Sequence, residues 1–262
     1  MKGSGLLKIT LEEKELFYLS ALMGIDNIWG LEDPFANEDD ATVITEILSL
    51  QNVLVGKGCL NADIDGKITV STNYGEILEV CAGSEQVYIL NSSHMEEERL
   101  VLRYFVHDRM VVQYTFNGLA NLEVTSFPVM RAEIETFFGD ADDEENPSSL
   151  LTGVARMRRM GSLSRQRFLQ ELRSTGCEEK LALLIADGLL GKAEFCSLLA
   201  FERKAGNERL SNKIVTLRFA GGSLIVTPGD GNVDMVCFSR LSHDKLDSQL
   251  NSIFGQKAVD VI

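Results

Sequence analysis

Apolar and polar positions alternate with one period, then another, and the change recurs later in the chain. Residues 6–9, "LLKI", suit a short strand, and Thr10 opens T-L-E-E, a capping box in which Glu13 can reach back to the cap amide. A helix is predicted from there to about Met23, stopped by Gly24. A second helix is predicted over about 41–54, with Ile44, Ile47, Leu48 and Leu54 on one face. "CLNADIDGKITVS" reads as two short strands about Asp65-Gly66, and a third helix covers about 72–81. The period then drops to two. "EQVYIL", "LVLRYFV", "MVVQYTF" and "LEVTSF" read as four strands joined by polar turns, and a helix over about 129–138 follows.

After the acidic stretch "GDADDEENPSS" the order returns. Helices are predicted over about 149–160, 164–174 and 177–190, strands at "EFCSLLAFER", "KIVTLRF", "SLIVTP" and "VDMVCF", and a last helix over about 242–254. Val101, Phe105 and Val112 match Val215, Phe219 and Val226 at one constant offset, and Phe127 ends a strand as Phe238 does. Met130, Ile134, Phe137 and Phe138 share a spacing with Leu246, Leu250, Ile253 and Phe254, each set being followed by a glycine, Gly139 or Gly255. The fold class expected is therefore α+β: a pseudo-twofold repeat whose antiparallel β-sheets join edge to edge, flanked by two helical bundles. The organisation expected is an N-terminal repeat over residues 1–139, an acidic linker over 140–149, and a C-terminal repeat over 150–262, forming one compact unit.

Charge sharpens this division. The net charge of the 262 residues is −14. Residues 1–149 hold 9 Lys and Arg against 27 Asp and Glu, whereas residues 150–262 hold 16 against 12. The acidic part repels phosphate backbones, and the helix "ATVITEILSLQNVL" carries no basic residue, which argues against nucleic acid as a partner. No apolar run is long enough for a membrane span or a signal peptide, so a cytoplasmic location is expected. Five scattered cysteines, without a C-x-x-C pair, read as buried reduced thiols.

Site chemistry is sparse. "NADIDGKI" places Asn61, Asp63, Asp65 and Gly66 as a calcium loop does, but its twelfth position is Thr72 and its flanks favour strands. A hairpin turn is the expected reading. His94, His107 and His243 lack metal-ligand spacing, and no nucleophile elbow, P-loop or dinucleotide fingerprint occurs. No catalytic, metal or cofactor residues are assigned, and an enzyme is the least favoured class. "ARMRRMGSLSRQRFLQELR" interleaves arginine with methionine, leucine and phenylalanine. It reads either as helices with solvated arginines around a core or as an adaptable docking face. On the second reading the partner-binding residues are Met157, Met160, Leu163, Phe168, Arg156 and Arg159.

Three stretches carry a resemblance. They are "LKITLEEKELFYLSALMGI", "GKGCLNADIDGKITVSTNYGEILEVCAGSEQVYIL" and "GGSLIVTPGDGNVDMVCFSRLSHDKLDSQLNSIFG". In this order the chain resembles the EspG family, the cytosolic chaperones of type VII secretion. The resemblance implies a pseudo-twofold sheet with two helical bundles, and a chaperone or adaptor that holds a helical secreted protein without catalysis. It also implies that the C-terminal helical bundle and a sheet loop grip the client's helical tip. Shorter turns and stronger acidity than in typical members imply another client. The alternative reading is an immunity protein that neutralises a toxin domain, its acidic half occupying a basic site.

Overall fold

The computed structural model describes residues 7–25, 28, 31–94, 97–108, 110–139, 141, 148–204, 207–219, 222–229 and 232–255. The first half of the sequence forms β1 (Lys8–Leu11), α1 (Glu13–Leu22), α2 (Asp40–Gly56), β2 (Leu60–Ala62), β3 (Ile68–Val70), α3 (Thr72–Gly83), β4 (Gln86–His94), β5 (Glu97–His107), β6 (Met110–Phe116), β7 (Ala120–Thr125) and α4 (Phe127–Phe138). The second forms β8 (Ser149–Gly153), α5 (Val154–Met160), α6 (Arg165–Ser174), α7 (Glu179–Asp187), a π-turn (Gly188–Lys192), β9 (Glu194–Lys204), β10 (Asn207–Phe219), β11 (Gly222–Gly229), β12 (Asn232–Arg240) and α8 (His243–Phe254). Ten strands make one sheet in the order β1-β7-β6-β5-β4-β9-β10-β11-β12-β8, and β2 with β3 makes a separate hairpin. The fold is thus mixed α+β with a large sheet whose registered pairs are antiparallel. Outward from β4 and from β9 the sequence of strands is the same: consecutive strands, then the opening strand of that half at the edge.

The chain packs as two compact units. The first comprises Met1–Val87, Leu102–Met130 and Glu202–Glu208. Here the capping box sits two residues later than predicted. Thr10 is strand, because β1 pairs with β7 through Leu11, and Glu15 Oε2 accepts the Glu12 amide at 2.9 Å. Glu15 is only 1% exposed, and Lys57 Nζ meets its Oε1 at 2.5 Å. Gly24, at φ +69°, follows the helix end as expected. α2 corrects a predicted face. Leu54 is buried, but Ile44 and Leu48 are 60% and 56% exposed. The stripe turned inward is Val43, Ile47, Leu50 and Leu54, at equally good helical spacing.

Asp65-Gly66 lies in a turn, although a wider one than the two-residue type. Ala62 pairs with Ile68, and Asp63 Oδ1 accepts the amides of Asp65 at 3.0 Å and Lys67 at 2.7 Å. Gly66 takes φ +79°, which a Cβ would resist. Asp63 thus spends an oxygen on the loop itself. Arg109, which the sequence places in the β5–β6 turn, lies outside the described residues.

The second unit comprises Tyr88–Val101, Arg131–Phe201 and Arg209–Ile262. The helix predicted over 149–160 starts late. Residues 149–153 are the edge strand β8, alternating exposed Ser149 and Leu151 with buried Leu150 and Thr152, and pairing with β12. The helix predicted over 177–190 is α-helical over Glu179–Asp187 and continues as a π-helix over Gly188–Lys192. Gly188 there lies so close to Leu217 that a Cβ would come within 3.1 Å of its methyl, and the chain leaves through the π-turn. Residues 140 and 142–147 of the acidic stretch lie outside the described residues.

Two residue correspondences also change. Phe127 opens α4 rather than ending β7. The constant offset requires Phe219 opposite Val226, as Phe105 is opposite Val112, but Val226 faces Val215 and Phe219 faces Gly222. Each hairpin register is set by its own turn, not by a match of side chains. The closing helices keep their shared pattern, with Met130, Ile134 and Phe138 buried in α4, and Leu246, Leu250 and Phe254 in α8.

Candidate functional site

The arginine–methionine segment folds into α5 and α6 of the second unit. Gly161 N–H donates to Met157 O at 3.0 Å and Leu163 N–H to Met160 O at 2.9 Å, which closes the turn between the helices. Met157, Met160, Phe168, Leu169 and Leu172 then face one way and join Leu181, Ile185, Leu217, Leu224 and Phe238 in a core. Phe168 has no exposed surface, and Met157 and Met160 retain 8% and 4%. The structure therefore places Met157 and Phe168 beneath the helices as packing residues, with Leu163 partly buried at the margin.

The outer side is cationic. A concavity of about 410 Å³ is lined by Arg156, Arg159, Met160, Leu163 and Glu171. Arg156 donates to Glu171 at 3.3 Å, so one guanidinium is already engaged. Arg165 is bound to Asp187 at 2.9 Å and Arg173 to Glu179 at 2.7 Å, ion pairs that join α6 to α7. Arg158, Arg159 and Arg167 are exposed and have no ion pair among the described residues. Four of the six sequence-selected residues thus line one concavity, while two support it from below. Glu171 belongs to the rim and was not singled out. Its four-residue spacing from Arg167, which puts both on the charged face of α6, was the available signal.

Other concavities offer different chemistry. Between α4 and α8 a space of about 370 Å³ gathers Glu135, Thr136, His243 and Asp247. Arg131 crosses it electrostatically, meeting Glu135 at 2.8 Å and Asp247 at 3.4 Å. The Thr136 hydroxyl donates to the Ala132 carbonyl at 2.8 Å, so it is held by its own helix and is poorly placed as a nucleophile. Among the described residues no group of three or more His, Cys, Asp or Glu side chains is arranged to hold a metal ion. The described helices include none long and apolar enough to cross a membrane.

All five cysteines are free thiols, of which Cys59, Cys81 and Cys196 are buried. Burial pushes the Cys81 thiol far above its ordinary range, which makes it a poor nucleophile. Tyr74 is pushed up to about 12, first by its hydrogen bond to Cys59 and then by burial.

No protein-family model matches the sequence, and no curated protein matches it. A solved structure does: that of the Mycobacterium tuberculosis type VII secretion system chaperone EspG5 in complex with the PE25-PPE41 dimer. The TM-score is 0.67 over 95% of this chain and 96% of that one, at 11% sequence identity. At this identity the likeness is architectural: the chain has an EspG-like fold.

Proposed function

We propose that the protein is a cytosolic chaperone or adaptor of a type VII-like secretion system, and that it binds a helical secreted protein without catalysis. One observation carries this reading: nearly the whole chain matches a chaperone whose structure was solved with a bound protein dimer. The concavity at Arg156, Arg159, Met160 and Leu163 supports it, since an apolar floor with a cationic rim suits an amphipathic helix tip. The client's apolar residues enter against Met160 and Leu163, and its acidic residues meet Arg159. A standard interface of about 800 Å² per partner extends well beyond this concavity.

The two halves, residues 1–139 and 150–262 about the acidic linker, are on this reading a pseudo-twofold repeat. The matching strand order outward from β4 and β9 supports it, as do the buried triads of α4 and α8. Superposition of residues 8–138 on 149–254 tests it directly.

The functional test is co-purification from native cytosol with two variants. Arg159→Glu is expected to retain the unfolding midpoint, Leu163→Asp to stay folded with a small loss of stability, and both to lose a small helix-rich partner. Retention of that partner by both variants removes this face from the mechanism. A co-purifying toxin whose activity disappears on binding replaces the chaperone reading with immunity, for which the acidic first half is the supporting feature.

A further inference from the structure

The hairpin β2–β3 stands apart from the ten-stranded sheet, and β3 is paired on one side only. Its register is Leu60 with Val70, Asn61 with Thr69 and Ala62 with Ile68. Just beyond, Asp63 N–H donates to Lys67 O at 3.0 Å and Ser71 N–H to Cys59 O at 2.9 Å. In an antiparallel pair, bonded and non-bonded positions alternate. Residues 67, 69 and 71 therefore turn their backbone groups toward β2, and Ile68 and Val70 turn theirs away.

Those outward groups open onto a groove of about 600 Å³ within the first unit. Leu22 and Met23, at the end of α1, form an apolar wall, and Glu76 and Glu79 of α3 stand on its rim, two carboxylates against the single exposed cation Lys67. Leu22 is 42% exposed. Both glutamates are exposed, and neither has an ion-pair partner among the described residues. The C-terminal carbonyls of α1 add partial negative charge beside them.

We propose that this edge binds an extended peptide segment of a partner protein, carrying lysine or arginine between apolar residues, as a third strand. Its main chain bonds to Ile68 and Val70, its apolar side chains rest on Leu22 and Met23, and its cation meets Glu76 and Glu79. The charge and size of the edge favour such a segment over a second copy of the chain. Two copies joined at β3 bring the same glutamates toward one another, and three residues of edge fall far short of the roughly 800 Å² per partner of a stable interface. This inference is independent of the helix-binding face in the second unit.

The test uses the full chain and a short fluorescein-labelled peptide of alternating valine and threonine with a central lysine, read by anisotropy. N-methylation at the alternate amides that face β3 is expected to weaken binding about tenfold per lost hydrogen bond, and methylation of the intervening amides to leave it unchanged. Val70→Pro removes an outward N–H without touching the bonds to β2, so binding falls while the unfolding midpoint holds. The double variant Glu76→Gln and Glu79→Gln weakens binding and flattens its salt dependence. The proposal is overturned by equal sensitivity at all amides, by preference for a glutamate-bearing peptide, by self-association through this edge, or by no binding at the highest soluble concentration.

Discussion

Phe168 and Leu163 are five positions apart, yet they answer different questions. Phe168 is wholly buried in the core under α6. Phe168→Ala is expected to lower stability by about 3–5 kcal/mol through lost transfer energy and a residual cavity, measurable by denaturant unfolding. Leu163 borders the concavity and is only partly buried, so Leu163→Asp is expected to cost far less, about 1 kcal/mol, and to leave the chain folded. A binding defect in the first variant reports unfolding, whereas one in the second reports contact. Tyr74 supplies a prediction in pH. Its folded-state pKa stands at about 12 against an ordinary 10.0, so the folded state holds this proton more tightly. The resulting stability is present in full below pH 10 and is lost as pH rises toward 12. Absorbance titration of the phenols is expected to show late ionisation, to which Tyr114, also raised by burial, contributes, and Tyr74→Phe is expected to reduce its amplitude; an unchanged amplitude assigns the late phase to Tyr114.

At the scale of elements, the β2–β3 loop depends on one carboxylate. Asp63 Oδ1 holds the amides of Asp65 and Lys67. Asp63→Ala is expected to speed hydrogen exchange at both amides, with the exchange of α3 unaltered; slow exchange in the variant shows that Gly66 alone sets the loop. The capped helices and alternating strands were legible because their periods and stop signals are local. The inward face of α2 was not. Val43–Ile47–Leu50–Leu54 and Ile44–Leu48–Val55 are neighbouring stripes of similar hydropathy, and only tertiary packing chooses between them. β8 was hidden for a related reason. Ser149–Gly153 runs into α5 with only Gly153, the helix N-cap, at the junction, and its conformation comes from pairing with β12, some eighty positions away. The candidate site divided in the same way: interleaved arginine and apolar residues marked two helices with a core face and a charged face, but which apolar residues reached the rim was a matter of the turn at Gly161–Leu163.

For the molecule as a whole, the order of strands is ended by the opening segment of each half. β1 has 4 residues and β8 has 5, and each lies beside the last strand of its half. β1 covers the Ala120–Glu123 side of β7, with Ile9 and Leu11 buried beneath. Removal of residues 1–11 is expected to cause concentration-dependent light scattering while monomeric secondary structure is largely retained; a clear, monodisperse solution shows that β7 needs no cover. Such short outermost strands leave a passing chain little main-chain template to extend, so the sheet itself discourages growth into fibrils.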